Sequence, residues 1–127
     1  YCYKKNRGCI MKSFEFGNLS IKVEEKDDSY FLLWQGTSDN KELINTLEPY
    51  YLEIIAAAKG KKIILDFTQL KAMNSSSVPA IIGWMKAMSE KKMDATILYN
   101  KDSNWQKTSF RLLSGIGKGF NISVNPA

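Results

Sequence analysis

Four polar residues in a row, Asn74-Ser75-Ser76-Ser77, stand directly before a run whose apolar residues recur at helical spacing. Serine hydroxyls in that position can do two things. They can accept a backbone N–H as a helix N-cap, or they can accept a phosphate. A helix N-terminus carries unpaired N–H groups and a partial positive charge, so a phosphate placed there is stabilised. It also adds about −1.5 to −2 charge, enough to disrupt a docked partner by repulsion and desolvation. Asp66 is the other residue with chemical capacity, either as a functional carboxylate or as a cap for a loop N–H at the end of a strand. Gly115-Ile116-Gly117-Lys118-Gly119 lacks the Walker spacing and has no helix after it, so it reads as a helix C-cap and a turn.

The sequence has no histidine among its 127 residues. That excludes Ser-His-Asp and Cys-His catalysis and histidine-containing metal sites. Acid–base chemistry would have to rest on carboxylates, Lys or Tyr, and no convergent set of these is visible. The reading is therefore not an enzyme: no catalytic residue, no metal ligand and no cofactor is assigned.

With 44% apolar and 24% charged residues the chain reads as one globular domain with a real core. Eighteen basic residues against 13 acidic ones give a net charge of +5. Lys4, Lys5 and Arg7 lie in residues 1–10 with no acid among them; without that segment 15 basic residues face the 13 acids, a net charge of +2. Cys2 and Cys9 fall in the same segment. Residues 1–10 are expected to be a basic N-terminal arm, upstream or appended sequence, with the domain over residues 11–127. A Cys2–Cys9 disulfide would close only a small loop, so the pair says little about compartment. No apolar segment follows the basic stretch as in a signal peptide, and none approaches a membrane-spanning length. These features predict a cytoplasmic domain with no direct membrane insertion. No basic and aromatic stripe predicts nucleic-acid binding.

The elements that must position the serines follow from periodicity. Leu19, Ile21 and Val23 alternate with polar residues, predicting a strand over 19–25 that forms a hairpin with 30–35. A short strand at 13–16 comes before it, and 36–40 reads as a loop. A helix is predicted over 47–59 with Pro49 in its first turn and Gly60 just past its end; residues 40–46 are either an irregular turn or an extra helical turn. The unbroken Ile63-Ile64-Leu65 predicts a central strand covered on both faces. The helix after Asn74 carries a stripe of Val78, Ile81, Ile82, Met85 and Met88. Lys91-Lys92 reads as its solvated end. A strand over 94–99 leads to a third helix, opened by a Ser103–Gln106 capping box, closed at Ser114-Gly115 and packed through Trp105. A last strand runs over 119–124. The order β-β-α-β-α-β-α-β predicts an α/β mixed sheet, an N-terminal hairpin followed by right-handed crossovers. Trp84 falls about 100° from the centre of the predicted stripe. It is read either as a part-exposed contact residue beside the serines or as a cover for the sheet margin.

The segment 63–88, IILDFTQLKAMNSSSVPAIIGWMKAM, resembles the STAS domain, the fold of bacterial anti-sigma-factor antagonists. In that family a buried strand ending hydrophobic-Leu-Asp-hydrophobic leads through a loop to Met-Asp-Ser-Ser-Gly at a helix start. The matching residues are Leu65-Asp66-Phe67 and Met73-Asn74-Ser75-Ser76-Ser77. Thr96 to Asn100 and Ser114-Gly115-Ile116 are similar to later parts of the pattern. The resemblance spans roughly residues 19–124. It implies a regulatory protein-binding module whose partner is an anti-sigma factor or serine kinase. It also implies that Ser75, the first serine after the acidic position, is the phosphoacceptor, with Ser76 and Ser77 as alternatives. The docking edge is then expected at Asn74, Ser75, Ser76 and Trp84. Asn74 replaces the family's Asp and Ser77 its Gly. Those departures keep open a second reading, a scaffold subunit of a signalling or membrane transport complex without phosphorylation.

Overall fold

The structure, a computed structural model, describes the backbone of residues 2–5 and 8–11 and the whole of residues 13–26 and 28–127. Cys2–Lys5 (β1) and Gly8–Met11 (β2) pair antiparallel, apart from the main sheet. The side chains of the basic arm, including Cys2 and Cys9, lie outside the described residues. Then come Phe14–Phe16 (β3), Leu19–Lys26 (β4), Ser29–Ser38 (β5), Leu43–Ala57 (α1), Lys62–Asp66 (β6), Leu70–Met73 (β7), Ser77–Glu90 (α2), Ala95–Tyr99 (β8), Asn104–Phe120 (α3) and Ser123–Pro126 (β9).

The main sheet runs β3-β4-β5-β6-β8-β9. The first three strands are antiparallel, and β6, β8 and β9 join in parallel. This is the predicted hairpin followed by strand–helix–strand crossovers. β5 is longer than the sequence suggested. Its first half pairs with β6; past an irregularity at Gly36/Thr37, its end pairs with β7. Gly36 takes φ 87°, and a Cβ there would lie 2.1 Å from the Asn18 carbonyl oxygen, so only glycine fits. The expected loop over 36–40 is thus strand as far as Ser38.

Burial explains the layers. Tyr30, Leu32, Trp34, Ile63, Leu65 and Ile97 are buried beneath the helices. Phe31, Leu33, Ile64 and Leu98 alternate with them and are half-exposed. The expectation that Ile63-Ile64-Leu65 is covered on both faces is therefore corrected. Strand alternation sends Ile64 to the opposite face from its neighbours, and the buried core gathers on the helical side.

Helix boundaries moved for packing reasons. α1 begins at Leu43, taking the extra-turn alternative, because Leu43 and Leu47 extend the buried stripe of Tyr50, Tyr51, Ile54 and Ile55. Pro49 consequently lies inside the helix, at an exposed position. α3 does not stop at Ser114-Gly115; it continues through Gly117 to Phe120, and the last strand begins only at Ser123. Glycine costs about 1 kcal/mol in a helix, but a Cβ at Gly117 would lie 2.7 Å from the Ile122 carbonyl oxygen. The returning chain packs too closely for any side chain there. α2 ends with Met93 N–H donating to Met88 O and Lys92 N–H to Ser89 O, the paired bonds of a Schellman cap. The left-handed residue of that cap is Lys92, φ 55°, where glycine is usual and any other residue costs about 1–2 kcal/mol.

Gln106, nine-tenths and more buried, ties the β6–β7 turn to α3. Its amide donates to Phe67 O at 2.8 Å and Leu70 O at 3.0 Å, and its oxygen accepts from Asn100 N–H at 2.8 Å. This replaces the expected capping box, since the Ser103 side chain makes no cap bond. Gln106→Ala removes the Gln106 bonds to the Leu70 carbonyl and the Asn100 N–H and leaves Phe67 O with only the Leu70 N–H. It is expected to cost about 2–3 kcal/mol by urea denaturation, against less than about 0.5 kcal/mol for the exposed Gln69→Ala.

Burial also pushes three phenols above their ordinary pKa of 10.0: Tyr50 by burial alone, Tyr30 by burial and then the nearby Glu25, Tyr51 by burial and then Glu48. Above pH 10 the unfolded chain releases these protons while the folded chain keeps them, so stability falls as pH rises. The urea midpoint is expected to drop steeply between about pH 9.5 and 11, a loss that Tyr50→Phe reduces.

Candidate functional site

The helices run back across the sheet from the carboxyl ends of β5, β6 and β8. The N-termini of α1, α2 and α3 therefore gather at one edge with Ser38, Asp66 and Tyr99. In open α/β sheets that edge is where ligands bind, and three helix N-termini make it electropositive.

The serine cluster sits on this edge, stitched to the end of β5. Asn74 N–H donates to Ser38 O at 2.9 Å, and the Asn74 amide donates to Asp39 O at 3.0 Å. The Asn74 side-chain oxygen accepts from Ser76 Oγ at 2.6 Å. Ser77 is fully buried; its hydroxyl donates to Ser38 O at 3.0 Å and lies 2.5 Å from the buried Ser38 hydroxyl. Two turns, Ser77 N–H to Asn74 O and Val78 N–H to Ser75 O, start the helix. The cap is thus a backbone turn with Ser76 at the N-cap position and no side-chain cap bond.

The three serines are not equivalent. Ser75 is exposed, and its hydroxyl has no hydrogen-bond partner among the described residues. The N–H groups of Ser75 and Ser76 likewise donate to no protein group there. Ser76 is half-buried and held by Asn74. Ser77, weighed as an alternative phosphoacceptor, is closed off by burial in this fold.

Trp84 requires a correction. It is not part-exposed: it is fully buried, stacked on Tyr51 at 5.4 Å and set against Trp34 at 5.9 Å. The buried face of α2 comprises Ser77, Ala80, Ile81, Trp84, Met85 and Met88, with Val78 and Ile82 at its flank. The predicted stripe counted aliphatic residues only and so centred on that flank. α2 also packs on α1, where a Cβ at Gly83 would lie 2.9 Å from the Tyr51 hydroxyl, and this turns the helix toward Trp84.

Asp66 caps its loop. Its Oδ1 accepts from Thr68 N–H at 2.9 Å and Thr68 Oγ1 at 2.6 Å. No group of three potential metal ligands is found among the described residues, and no helix there is long and apolar enough to cross a membrane. Ser38, Asp39 and Asn40 were missed by sequence reasoning. The sequence held no alternation to find them, because residues 30–34 are all apolar; only burial in the structure, at Tyr30, Leu32, Trp34 and Ser38, shows the strand continuing. Gly36 was read as ending the strand.

Solved structures match this architecture. The phosphorylated form of SpoIIAA, the Bacillus cell fate determinant, superposes with a TM-score of 0.60 at 19% identity, over 84% of this chain and 90% of that one. An anti-sigma factor antagonist from Mycobacterium paratuberculosis gives 0.56 at 14%, over 83% and 85%. A chain from the complex of the diguanylate cyclase SiaD with its activator SiaC, from Pseudomonas aeruginosa, gives 0.56 at 14%, over 91% and 99%. No protein-family model and no curated protein matches the sequence. At these identities the likeness is one of fold: the chain has the SpoIIAA-like α/β fold of the anti-sigma factor antagonists.

The serine geometry separates two variants. Ser77→Ala strands the buried Ser38 hydroxyl and is expected to cost about 1–2 kcal/mol. Ser75→Ala removes an exposed group with no partner and is expected to stay within about 0.5 kcal/mol of the parent. Urea midpoints of the two variants measure the difference.

Proposed function

We propose that this chain is a regulatory protein-binding module of the anti-sigma-factor-antagonist type, docking a protein partner at the edge around Asn74, Ser75 and Ser76 and released by phosphorylation of Ser75. The single observation that carries the switch is the contrast among the serines. Only Ser75 offers an exposed, unengaged hydroxyl, and it sits beside free N–H groups at a helix N-terminus. The phosphorylated form of SpoIIAA, which shares the fold, supports the reading. The partner is read as an anti-sigma factor or serine kinase, and ATP-dependent modification places the exchange in the cytoplasm. The chain itself performs no chemistry in this reading; it receives a phosphate.

A phosphate on Ser75 would accept from the free N–H groups of Ser75 and Ser76, where the dipole of α2 favours negative charge. A partner carboxylate or apolar group seated at the same place would be expelled. A second reading, a scaffold subunit without phosphorylation, is favoured by the Ser77–Ser38 and Asn74–Asp39 bonds, which hold this edge in one arrangement. Incubation with ATP and an anti-sigma-type serine kinase, followed by mass spectrometry, is expected to give one phosphate, on Ser75 and absent in Ser75→Ala. Ser75→Glu is expected to weaken partner binding by at least about tenfold. A chain that takes no phosphate on residues 75–77, with a partner indifferent to Ser75→Glu, establishes the scaffold instead.

A further inference from the structure

The opposite end of α2 carries a feature that the serine edge does not explain. α1 and α2 run side by side in the same direction, so their C-termini lie together, about 20 Å from Ser77 along the 14-residue helix. Between them opens a cleft of about 890 Å³. Its floor is apolar: Leu52, Ile55, Ala87 and Met93 line it, and Leu52 is 48% exposed. Its rim is rich in lysine. Lys61 pairs with Glu25 and Lys62 with Asp94. Lys59, Lys91 and Lys92 are exposed and have no ion pair among the described residues.

Lys92 is the second, independent observation. It occupies the left-handed position of the α2 cap, the place where glycine is the unstrained choice, and α1 does put Gly60, φ 83°, in the left-handed region after its own end. The chain keeps a strained lysine at the cleft mouth instead. The cap bonds hold that conformation, and strain of this kind is concentrated at functional sites. A solvated helix end would need a cation only near the last carbonyls, and Lys91 already supplies one.

We infer that this cleft is a second docking surface, for an acidic amphipathic segment of a protein partner. The segment's apolar side chains enter between α1 and α2, and its carboxylates meet Lys59, Lys91 and Lys92. The charge pattern selects a peptide over a dense polyanion. Asp28, Glu90 and Asp94 stand on the same rim, and two helix C-termini point their negative ends at it. A phosphate backbone would meet repulsion there, whereas spaced carboxylates can reach the free lysines singly. The surface lies well away from Ser75, so occupation is independent of phosphorylation.

The test uses the full chain labelled with ¹⁵N and a synthetic helical peptide with leucines on one face flanked by glutamates. A matched peptide carries lysines in place of the glutamates. The glutamate peptide is expected to shift amides in residues 52–62 and 87–94 and to leave 74–77 unmoved, with affinity falling as salt is raised. Lys91→Glu with Lys92→Glu is expected to lose at least about tenfold in affinity. Lys92→Gly relieves the strained cap, so it is expected to raise the urea midpoint while weakening the peptide about threefold; a purely structural role for Lys92 would leave affinity unchanged. Equal binding of the two peptides, shifts centred on Ser75, or tighter binding of a short DNA duplex would each overturn the proposal.

Discussion

The burial of Trp84 is the constraint on which the rest of the candidate site depends. Its indole stacks on Tyr51 of α1, approaches Tyr50 edge-on at 6.3 Å and meets Trp34 of β5, which in turn lies 4.5 Å from Phe67. One side chain thus fixes α2 against both α1 and the sheet. Aromatic contacts contribute about 0.5–1.5 kcal/mol each beyond area burial. The cluster has to outweigh a cost, because the indole N–H groups of Trp34 and Trp84 are buried without a partner. The consequence reaches the serines. Ser77 and Trp84 are two helical turns apart on one face, so burying the indole also turns Ser77 inward, onto Ser38. With Ser77 committed to the core, the backbone turn at Asn74 leaves Ser75 outward.

Parallel helices give the molecule a polar axis. Every helix starts at the carboxyl edge of the parallel strands and ends at the other, so one edge collects N-termini and the other C-termini. The first edge is suited to anions through its helix N-termini, without relying on basic side chains. The second edge repels anions through its dipoles and attracts them only through lysines, so what it holds must be sparse in charge and partly apolar. The same connectivity therefore gives two surfaces of different chemistry on one small domain.

Much of the architecture was legible in the sequence. The alternation at Leu19, Ile21 and Val23, the apolar run at 63–65 and the helical spacing around Tyr51 and Met85 are local patterns set by the period of the backbone, and each marked an element that exists. Misreadings came where a contact between distant residues overrode a local signal. Gly115 and Gly117 look like helix breakers, yet α3 runs through both, and Gly117 is there because the chain at Ile122 comes too close for a side chain. Ser103 and Gln106 fit a capping box, yet the Gln106 amide is taken by Phe67 and Leu70.

The candidate site divides along the same line. By itself the sequence determined the run Asn74-Ser75-Ser76-Ser77 at a helix start after a Leu-Asp-Phe strand, the lack of any histidine, and the basic arm that accounts for most of the net charge. These are matters of residue type and short spacing, and no folding is needed to read them. Only the tertiary structure decided which serine is exposed, that Trp84 is core rather than surface, and that Ser38 belongs to the serine edge. A helix has two sides that spacing alone describes equally well. What chooses between them is the partner each side meets, and for α2 that partner is the aromatic face of α1 and β5.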